Sequence, residues 1–264
     1  LTIRQQAMAG SAVGLGNIWR FPYMTGQNGG AAFILIYSIC VLVLGIPCML
    51  SECIIGRRGA ANTARAYSNL AGGTPWRWVG FLGVLTGFLI TGYYIVISGW
   101  CLQYVYAACA GELSGDKAYI QEYFATCSTS TLRPILWTVA FMLITHLIVI
   151  RGIQHGIERA SKVLMPILFV LLLGIVIAAC LLPDGGEGIR FLLKPDLSKV
   201  NGHVFFSALG QSFYSLSIAM GCLCTYASYY SRQTNLLGSA LQVAGIDTLI
   251  AVMAGLVIFP AAFS

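Results

Sequence analysis

The sequence predicts an all-α integral membrane protein. Apolar residues make up 58% of the 264 residues, charged residues only 9%, and the mean hydropathy is +0.80. A helix needs about 20 apolar residues to cross the hydrocarbon core of a bilayer. Seven apolar stretches, most of them that long, lie at about 5–27, 31–55, 78–110, 134–151, 160–182, 203–229 and 238–263. No change of composition marks a soluble domain, so we expect a single transmembrane domain over 1–264.

The first span has an unusual sequence for membrane depth. Three glycines fall within seven positions and are followed by an amide and a cation: Gly10, Gly14, Gly16, Asn17 and Arg20. Every backbone polar group in hydrocarbon needs an internal partner, so a helix this easily broken is tolerated only where it lines a protein or water cavity. Unwound backbone at mid-membrane can hold an ion or a zwitterion. The first span therefore predicts a transport site.

The basic residues between the spans predict the orientation. They follow the second, fourth and sixth spans and are Arg57, Arg58, Arg65, Arg77, Arg151, Arg159, Lys162 and Arg232. The alternate loops are mainly acidic (111–132) or balanced (183–202). The positive-inside rule then places the N-terminus in the cytoplasm of a multi-pass plasma (cytoplasmic) membrane protein. The net charge of +6 follows from this asymmetry, so the expected partner is the lipid bilayer and not nucleic acid.

The sixth span is the second unusual one. Its apolar run is interrupted by Gln211, Ser212, Ser215 and Ser217, and Gly221 follows. Two interrupted helices five spans apart fit an inverted repeat in which each half contributes one broken helix to a site at the midplane. Close helix packing is an alternative role for small residues. Packing alone does not require Asn17, Gln211 and Asp247 as well.

The seventh span contains one acid, Asp247. A carboxylate at the centre of a membrane helix costs about 2.5–3.5 kcal/mol on insertion scales, so such residues usually serve a function. A carboxylate held by Ser or Thr in a polar seam is the structural alternative.

The motif at 10–23, Gly-Ser-Ala-Val-Gly-Leu-Gly-Asn-Ile-Trp-Arg-Phe-Pro-Tyr, with Asn28-Gly29-Gly30 after it, resembles the signature of the sodium-coupled neurotransmitter and amino-acid symporters. Further matches are Gly-Tyr-Tyr (92–94), Arg-Gly-Ile-Gln-His-Gly-Ile-Glu-Arg (151–159) and Thr-Tyr-Ala-Ser-Tyr (225–229). Bacterial carriers of hydrophobic amino acids are the most similar members in pattern.

The resemblance implies a five-plus-five inverted-repeat transporter fold with broken first and sixth helices. The first repeat would cover about 5–182, and the second would begin at about 203–264. Family members have further spans, so we expect the sequence to be a fragment that ends in the seventh span, with an incomplete second repeat.

The resemblance also implies sodium ligands, and sodium, like other hard cations, prefers several oxygens. The first site would use the Ala12 carbonyl, the Asn17 side chain, Ser215, Asp247 and the substrate carboxylate. A second site would use the Gly10 and Val13 carbonyls with oxygens from an eighth span. Chloride-dependent relatives have a neutral residue where this sequence has Asp247, so transport is expected to be independent of chloride. Sodium is the only cofactor expected, and no organic cofactor is.

For the substrate, the resemblance implies a site made from both breaks and the third span: Ser11, Ala12, Leu15, Gly16, Ile90, Tyr94, Tyr214, Ser215, Ser217 and Met220. The amides of Leu15 and Gly16 begin a half-helix whose positive end attracts a carboxylate, and the Tyr94 hydroxyl would donate to it. Ile90, Tyr214 and Met220 would form an apolar wall with no acid for a cationic side chain. We therefore expect a neutral, hydrophobic or aromatic amino acid.

Three further residues have expected roles other than binding sodium or substrate. Arg20 resembles the outer-gate arginine of the family. Glu52 resembles a buried family carboxylate, and a structural role, pairing with backbone amides freed around the break of the first helix, is as well supported as a functional one. Ala219 stands where relatives often have glycine, which would stiffen the break of the sixth helix.

Other classes of function fit the sequence poorly. It has no paired histidines and no nucleophile elbow, and the Gly-x-Gly at 14–16 lacks the third glycine of a dinucleotide loop. An enzyme is therefore not expected. The nine cysteines have no metal-ligand spacing and read as small apolar fillers. Sodium symport into the cell by alternating access is the leading interpretation. A truncated or degenerate non-transporting member, or an amino-acid sensor, is the alternative.

Overall fold

A computed structural model describes residue 10, residues 12–183 and residues 185–264. Within these residues the secondary structure is helical and contains no strand, which confirms the all-α prediction. The principal helices are α1 (Phe21–Gln27), α2 (Ala31–Gly59), α3 (Thr63–Ala71), α4 (Arg77–Cys109), α5 (Lys117–Thr129), α6 (Leu132–Val149), α7 (Glu158–Cys180), α8 (Gly185–Leu193), α9 (Gly202–Ser215), α10 (Cys222–Ala227) and α11 (Leu236–Phe263).

Among the described residues, five helices are long and apolar enough to cross a membrane, namely α2, α4, α6, α7 with the turn before it, and α11. Their burial differs: 39% of the apolar window of α2 and 44% of that of α11 lie inside the structure, against none of α6. Large apolar side chains therefore point outward, as in Phe88 at 74% exposed and Leu143 at 59%. Such surfaces suit hydrocarbon, where helices satisfy their own backbone groups.

The chain divides into two compact units. The first consists of the described parts of Leu1–Val84 and Ala160–Ser264, and the second is Leu85–Arg159. In the second unit α6 packs against α4 where Gly99 faces Thr138: a Cβ on Gly99 would lie 2.8 Å from the Thr138 backbone, so only glycine permits this approach.

The first unit is organised around α2 and α11. Helix α2 contacts α9 and α10, and α11 contacts α8 and the first helix. The core contains a cluster of fully buried aromatic rings, in which the Phe21 ring centroid lies 5.0 Å from that of Tyr37 and 6.0 Å from that of Phe33. Gly56 allows the backbone of Cys224 to approach α2 more closely than any side chain would permit.

The helix of the first span (about 5–27), called the first helix below and ending with α1, is broken, as its glycines predict. Val13 and Gly14 lie outside regular helix, and a π-helical turn, Gly16–Arg20, then leads into α1. The Gly14 carbonyl accepts the Asn17 and Ile18 amides at 3.1 and 3.2 Å. The Asn17 side chain accepts the Gly14 amide at 3.2 Å. The motif residue Asn17 thus helps to satisfy backbone groups that the break exposes.

The helix of the sixth span (about 203–229), called the sixth helix below, is also broken. Its two parts are α9, which ends at Ser215, and α10, which begins at Cys222. The connecting residues 216–221 contain Ser217, Ala219 and Gly221 with φ of 55°, 64° and 76°. Left-handed backbone costs little for glycine but strains residues that carry a Cβ. The break therefore contains strained backbone at two non-glycine positions.

Candidate cation and substrate site

The two breaks meet beside the middle of α11. Asn17 from the first break, Ser215 at the end of α9 and Asp247 on α11 are 0%, 2% and 0% exposed. These three predicted residues come from distant parts of the chain and form one hydrogen-bonded cluster. The structure therefore brings together the side chains proposed for the first sodium site.

The Asp247 carboxylate is the centre of this cluster. The Asn17 amide nitrogen donates to Asp247 Oδ1 at 2.7 Å and to the Asp247 backbone carbonyl at 3.0 Å. The Ser215 hydroxyl donates to Asp247 Oδ2 at 2.7 Å, and Asn17 Nδ2 lies 3.1 Å from Ser215 Oγ. Both carboxylate oxygens are thus fixed, and three oxygen-bearing side chains converge.

Tyr37 on α2 is a fourth member of the cluster, and the sequence did not single it out. Its hydroxyl donates to Asp247 Oδ2 at 3.1 Å, and its side chain is fully buried. The second span carries no polar motif around this position, so its sequence gives no signal for a polar role of this tyrosine. Only the fold places this hydroxyl beside the seventh span.

The electrostatics of the cluster favour a cation. The hydrogen bonds that the structure gives the Asp247 carboxylate come from an amide and two hydroxyls, all of them neutral. A fully buried charge is costly without a partner of opposite sign or a metal ion. Oxygen ligands of this kind suit a hard cation such as sodium.

The remaining predicted sodium ligands lie at the first break or just before it. Ala12 and Val13 are buried, and Gly10 is half-buried. A Cβ on Gly10 would lie 2.9 Å from the Ser161 hydroxyl of α7, so glycine is needed for this approach of the first helix to the fifth span. The ligand roles of the Gly10, Ala12 and Val13 carbonyls stay predictions.

The start of the half-helix is held by the sixth span. Gln211 Nε2 donates to the Gly16 carbonyl at 3.0 Å, and the Gln211 side chain is fully buried. A Cβ on Gly16 would lie 3.1 Å from a ring carbon of Tyr214. Glycine at position 16 therefore allows the tyrosine ring to cover the first break. The neighbouring Leu15 is half-buried, and Ser11 lies outside the described residues.

Arg20 and Tyr214 contact each other beside the first break. The Arg20 guanidinium carbon lies 4.3 Å from the centroid of the Tyr214 ring. A guanidinium over an aromatic face is a cation–π contact. The predicted gate residue and a predicted wall residue thus contact each other directly.

The other predicted substrate residues fall into two groups. Ser217 and Met220 lie in the break of the sixth helix, and both are half-buried. Ile90 and Tyr94 lie on α4 in the second compact unit. All four remain predictions as substrate ligands.

Glu52 lies next to a break, but not the one expected. The Ala219 backbone amide donates to Glu52 Oε1 at 2.6 Å. The expectation that Glu52 pairs with amides of the first helix is wrong, because the C-terminal part of α2, which carries Glu52, contacts α10. Ala219 itself has a left-handed backbone conformation, with φ of 64°.

The chain matches one family model and is similar to several known proteins. The model of the sodium:neurotransmitter symporter family matches residues 6–133 and 127–262. A Bacillus subtilis (strain 168) protein, the "uncharacterized sodium-dependent transporter YhdH", is 40% identical over 259 residues, or 98% of this chain and 57% of the relative. The sodium-dependent neutral amino acid transporter B(0)AT2 of Bos taurus is 29% identical and is matched over 96% of this chain and 38% of its own.

A solved structure is similar to the whole fold. The crystal structure of MhsT in complex with L-phenylalanine superposes with a TM-score of 0.94, at 44% sequence identity, over 99% of this chain and 60% of that one. The fold is therefore that of a membrane transporter with broken first and sixth helices. The chain spans between about two fifths and three fifths of the length of these relatives, 38–60%.

Proposed function

Because the chain belongs to the sodium:neurotransmitter symporter family, we propose that it is part of a sodium-dependent symporter for neutral, hydrophobic or aromatic amino acids. The family consists of transporters, and several helices of this chain can cross a membrane. The proposed cycle is alternating access across the plasma membrane, from outside to inside, with the N-terminus in the cytoplasm. The observation that carries the proposal is the buried cluster of Asn17, Ser215 and Asp247 between the two breaks.

Sodium binds in this proposal at the Asp247 carboxylate. The Asn17 and Ser215 side-chain oxygens and the Ala12 carbonyl supply neutral ligands, and the carboxylate supplies the negative charge. Gly10 and Val13 contribute carbonyls to a second sodium site. The ion stabilises one arrangement of the two breaks, because it interacts with ligands from both.

Chloride is not needed in this proposal. A sodium ion beside an otherwise neutral ligand set would leave an uncompensated positive charge in a buried site. The Asp247 carboxylate, held by three neutral donors at 2.7–3.1 Å, compensates that charge permanently. A mobile anion is then redundant.

The substrate carboxylate binds at the start of the half-helix. The amides of Leu15 and Gly16 carry the positive end of the helix dipole and attract the carboxylate. The ammonium group lies against the carbonyls of Ala12, Tyr214 and Ser215 and against the Ser217 hydroxyl, with Ser11 as a neighbour. Tyr214 and Met220 contribute the apolar wall for the side chain of the amino acid. A similar transporter fold holding L-phenylalanine supports this choice of ligand.

Arg20 and Tyr214 act in this proposal as the outer cover of the bound amino acid. Their contact at 4.3 Å ties the half-helix after the first break to the last turn of α9. Movement of the two breaks apart would separate the guanidinium from the ring and expose the site.

A binding panel tests the proposed substrate class. The full-length protein that contains this sequence, purified in detergent, is incubated with radiolabelled Phe, Trp, Leu, Gly and Lys, with sodium or with potassium. We expect saturable sodium-dependent binding of Phe, Trp and Leu, and weak binding of Gly and Lys. Sodium-independent binding, or a preference for Lys, would contradict the proposal.

A further inference from the structure

Glu52 is a buried carboxyl group for which the proposed sodium and substrate sites have no use. It lies in the C-terminal half of α2 and is 9% exposed. Its Oε1 accepts the Ala219 amide at 2.6 Å. Its Oε2 is buried and has no hydrogen-bond partner within the described structure. One half of the carboxyl group is satisfied by the break of the sixth helix, and the other half is not.

The groups that face Glu52 do not neutralise a negative charge. The titratable and charged neighbours on the helices packed there are Cys53 and Arg57 on α2, Tyr67 on α3, and Cys222 and Cys224 on α10. Thiols and phenols are neutral at pH 7 in their ordinary state. The Arg57 guanidinium donates to the Thr234 carbonyl at 3.0 Å and so is engaged beyond α10, at the start of the seventh span.

The energetics favour the protonated form in this arrangement. An ionised carboxylate taken out of water without a cation loses far more than one hydrogen bond returns. A neutral carboxylic acid with one unpaired hydroxyl loses only the smaller desolvation cost of a neutral polar group. The Ala219 amide can donate to the carbonyl oxygen of either form, so this bond does not require ionisation.

We propose that Glu52 is a proton-binding site that is coupled to the break of the sixth helix. The proton resides on Oε2 while the Ala219 amide remains bonded to Oε1. When the break moves and water reaches the carboxyl group, the O–H bond breaks, the proton passes to water, and the carboxylate keeps the electron pair. The return movement expels water and takes up one proton. This site is separate from Asp247, which belongs to the sodium cluster.

The coupling follows from where the amide lies. Ala219 is in left-handed backbone with φ of 64°, so the position of its amide depends on the break keeping its strained form. Thr63 of α3 also binds this break, because its hydroxyl donates to the Gly221 carbonyl at 2.5 Å. The inner half of the sixth helix is thus attached to α2 and α3 by two side chains. Loss of the strained form would remove the only protein partner that Glu52 has in the described structure.

Infrared difference spectroscopy on the full-length protein tests the proton directly. The Glu52→Gln spectrum is subtracted from the wild-type spectrum at pH 7, in potassium buffer without substrate. We expect the difference to contain the carbonyl stretching band of a protonated carboxylic acid. Glu158→Gln is the matched control, since Glu158 is also a buried glutamate at the inner end of a span, 7% exposed. A difference made only of ionised carboxylate bands for Glu52 would overturn the proposal.

A second measurement tests the coupling and rests on the proposed function. Sodium and Phe are added to weakly buffered protein with a pH indicator dye, and the number of protons exchanged per protein is recorded. The wild-type protein and Glu158→Gln should exchange about one proton more than Glu52→Gln. Equal exchange in all three would overturn the coupling. A protein that binds no sodium or Phe would fail the proposed function, and the infrared result would still decide the protonation of Glu52.

Glutamine retains an oxygen for the Ala219 amide, so Glu52→Gln should fold. Should it not, Glu52→Asp replaces it. Its shorter stem withdraws the carboxyl group from Ala219, and the protonated band should disappear or shift in frequency. An unchanged band would overturn the link to Ala219.

Discussion

The side-chain amide of Asn17 donates to the Asp247 carboxylate at 2.7 Å, although 230 residues separate the two positions. This bond joins the break of the first helix to the middle of α11, within a region that excludes water from both side chains. In the proposed transporter, the affinity of an ion bound between these residues would depend on the positions of both helices. Ligand binding can shift a conformational equilibrium only through such differential contacts.

Tyr37→Phe should destabilise the cluster without disturbing the core. The phenyl ring keeps its packing against Phe21, but Asp247 Oδ2 loses a donor at 3.1 Å. We expect the free energy of unfolding to fall by about 1–3 kcal/mol, as for other buried hydrogen bonds to charged groups. Thermal unfolding in detergent measures it. Tyr23→Phe, at a side chain 62% exposed, is the control, and equal stability of the two variants would contradict the assigned bond.

Ala219→Gly should relieve strain in the break of the sixth helix. Ala219 has φ of 64°, where a Cβ costs about 1–2 kcal/mol, and glycine gives back about 0.5–1 kcal/mol through the entropy of the unfolded chain. We expect a net gain of roughly 0.5–1 kcal/mol in the free energy of unfolding. Ala178→Gly, at an exposed position of α7, should instead lose about 1 kcal/mol. A loss of stability in both variants would refute the strain.

Gly16→Ala should weaken substrate binding. The added methyl group would lie 3.1 Å from one ring carbon of Tyr214 and 3.3 Å from another, so the ring must move. Overpacking of this kind typically costs about 1–3 kcal/mol, and we expect the affinity for Phe to fall about tenfold or more. Equilibrium binding of radiolabelled Phe measures the change. Gly210→Ala in α9, where a Cβ would meet nothing within 4 Å, should bind Phe as the wild type does.

Arg20→Gln should speed the release of bound amino acid. The variant removes the cation that lies 4.3 Å above the Tyr214 ring. A contact of this type is worth about 1 kcal/mol, so the dissociation rate of Phe should rise about fivefold. A filter-based dissociation assay reports the rate. Arg232→Gln, at an exposed arginine after the sixth span, should leave it unchanged, and equal rates in all proteins would exclude a covering role for Arg20.

Much of the site could be predicted because its residues are improbable in hydrocarbon. Three polar side chains lie in otherwise apolar spans, namely Asn17, Ser215 and Asp247. Because burying them in a membrane is costly, they indicate a common functional site. The structure confirms that they lie together. The glycines of the first span predicted a break on similar grounds, since a helix that breaks so easily is tolerated at membrane depth only where it lines a cavity.

The contacts that escaped prediction involve groups without a sequence pattern of their own. Tyr37 is an aromatic residue in an ordinary span. Its hydroxyl reaches Asp247 only because α2 packs against α11. The partner of Glu52 is a backbone amide, which every residue except proline possesses. Sequence could therefore indicate that Glu52 needs a donor but not that Ala219 supplies it.

The role of Asp247 as the permanent counter-charge of sodium is the central claim, and the chloride dependence of Phe binding tests it most directly. Affinity is measured in sodium gluconate and in sodium chloride for the wild-type protein and for Asp247→Asn. The wild type should bind equally well in both salts. Asp247→Asn should lose at least tenfold in affinity in gluconate, since it leaves a buried cation uncompensated, and should recover in chloride. A wild type that requires chloride, or an Asp247→Asn variant that binds Phe as the wild type does in gluconate, would contradict the claim.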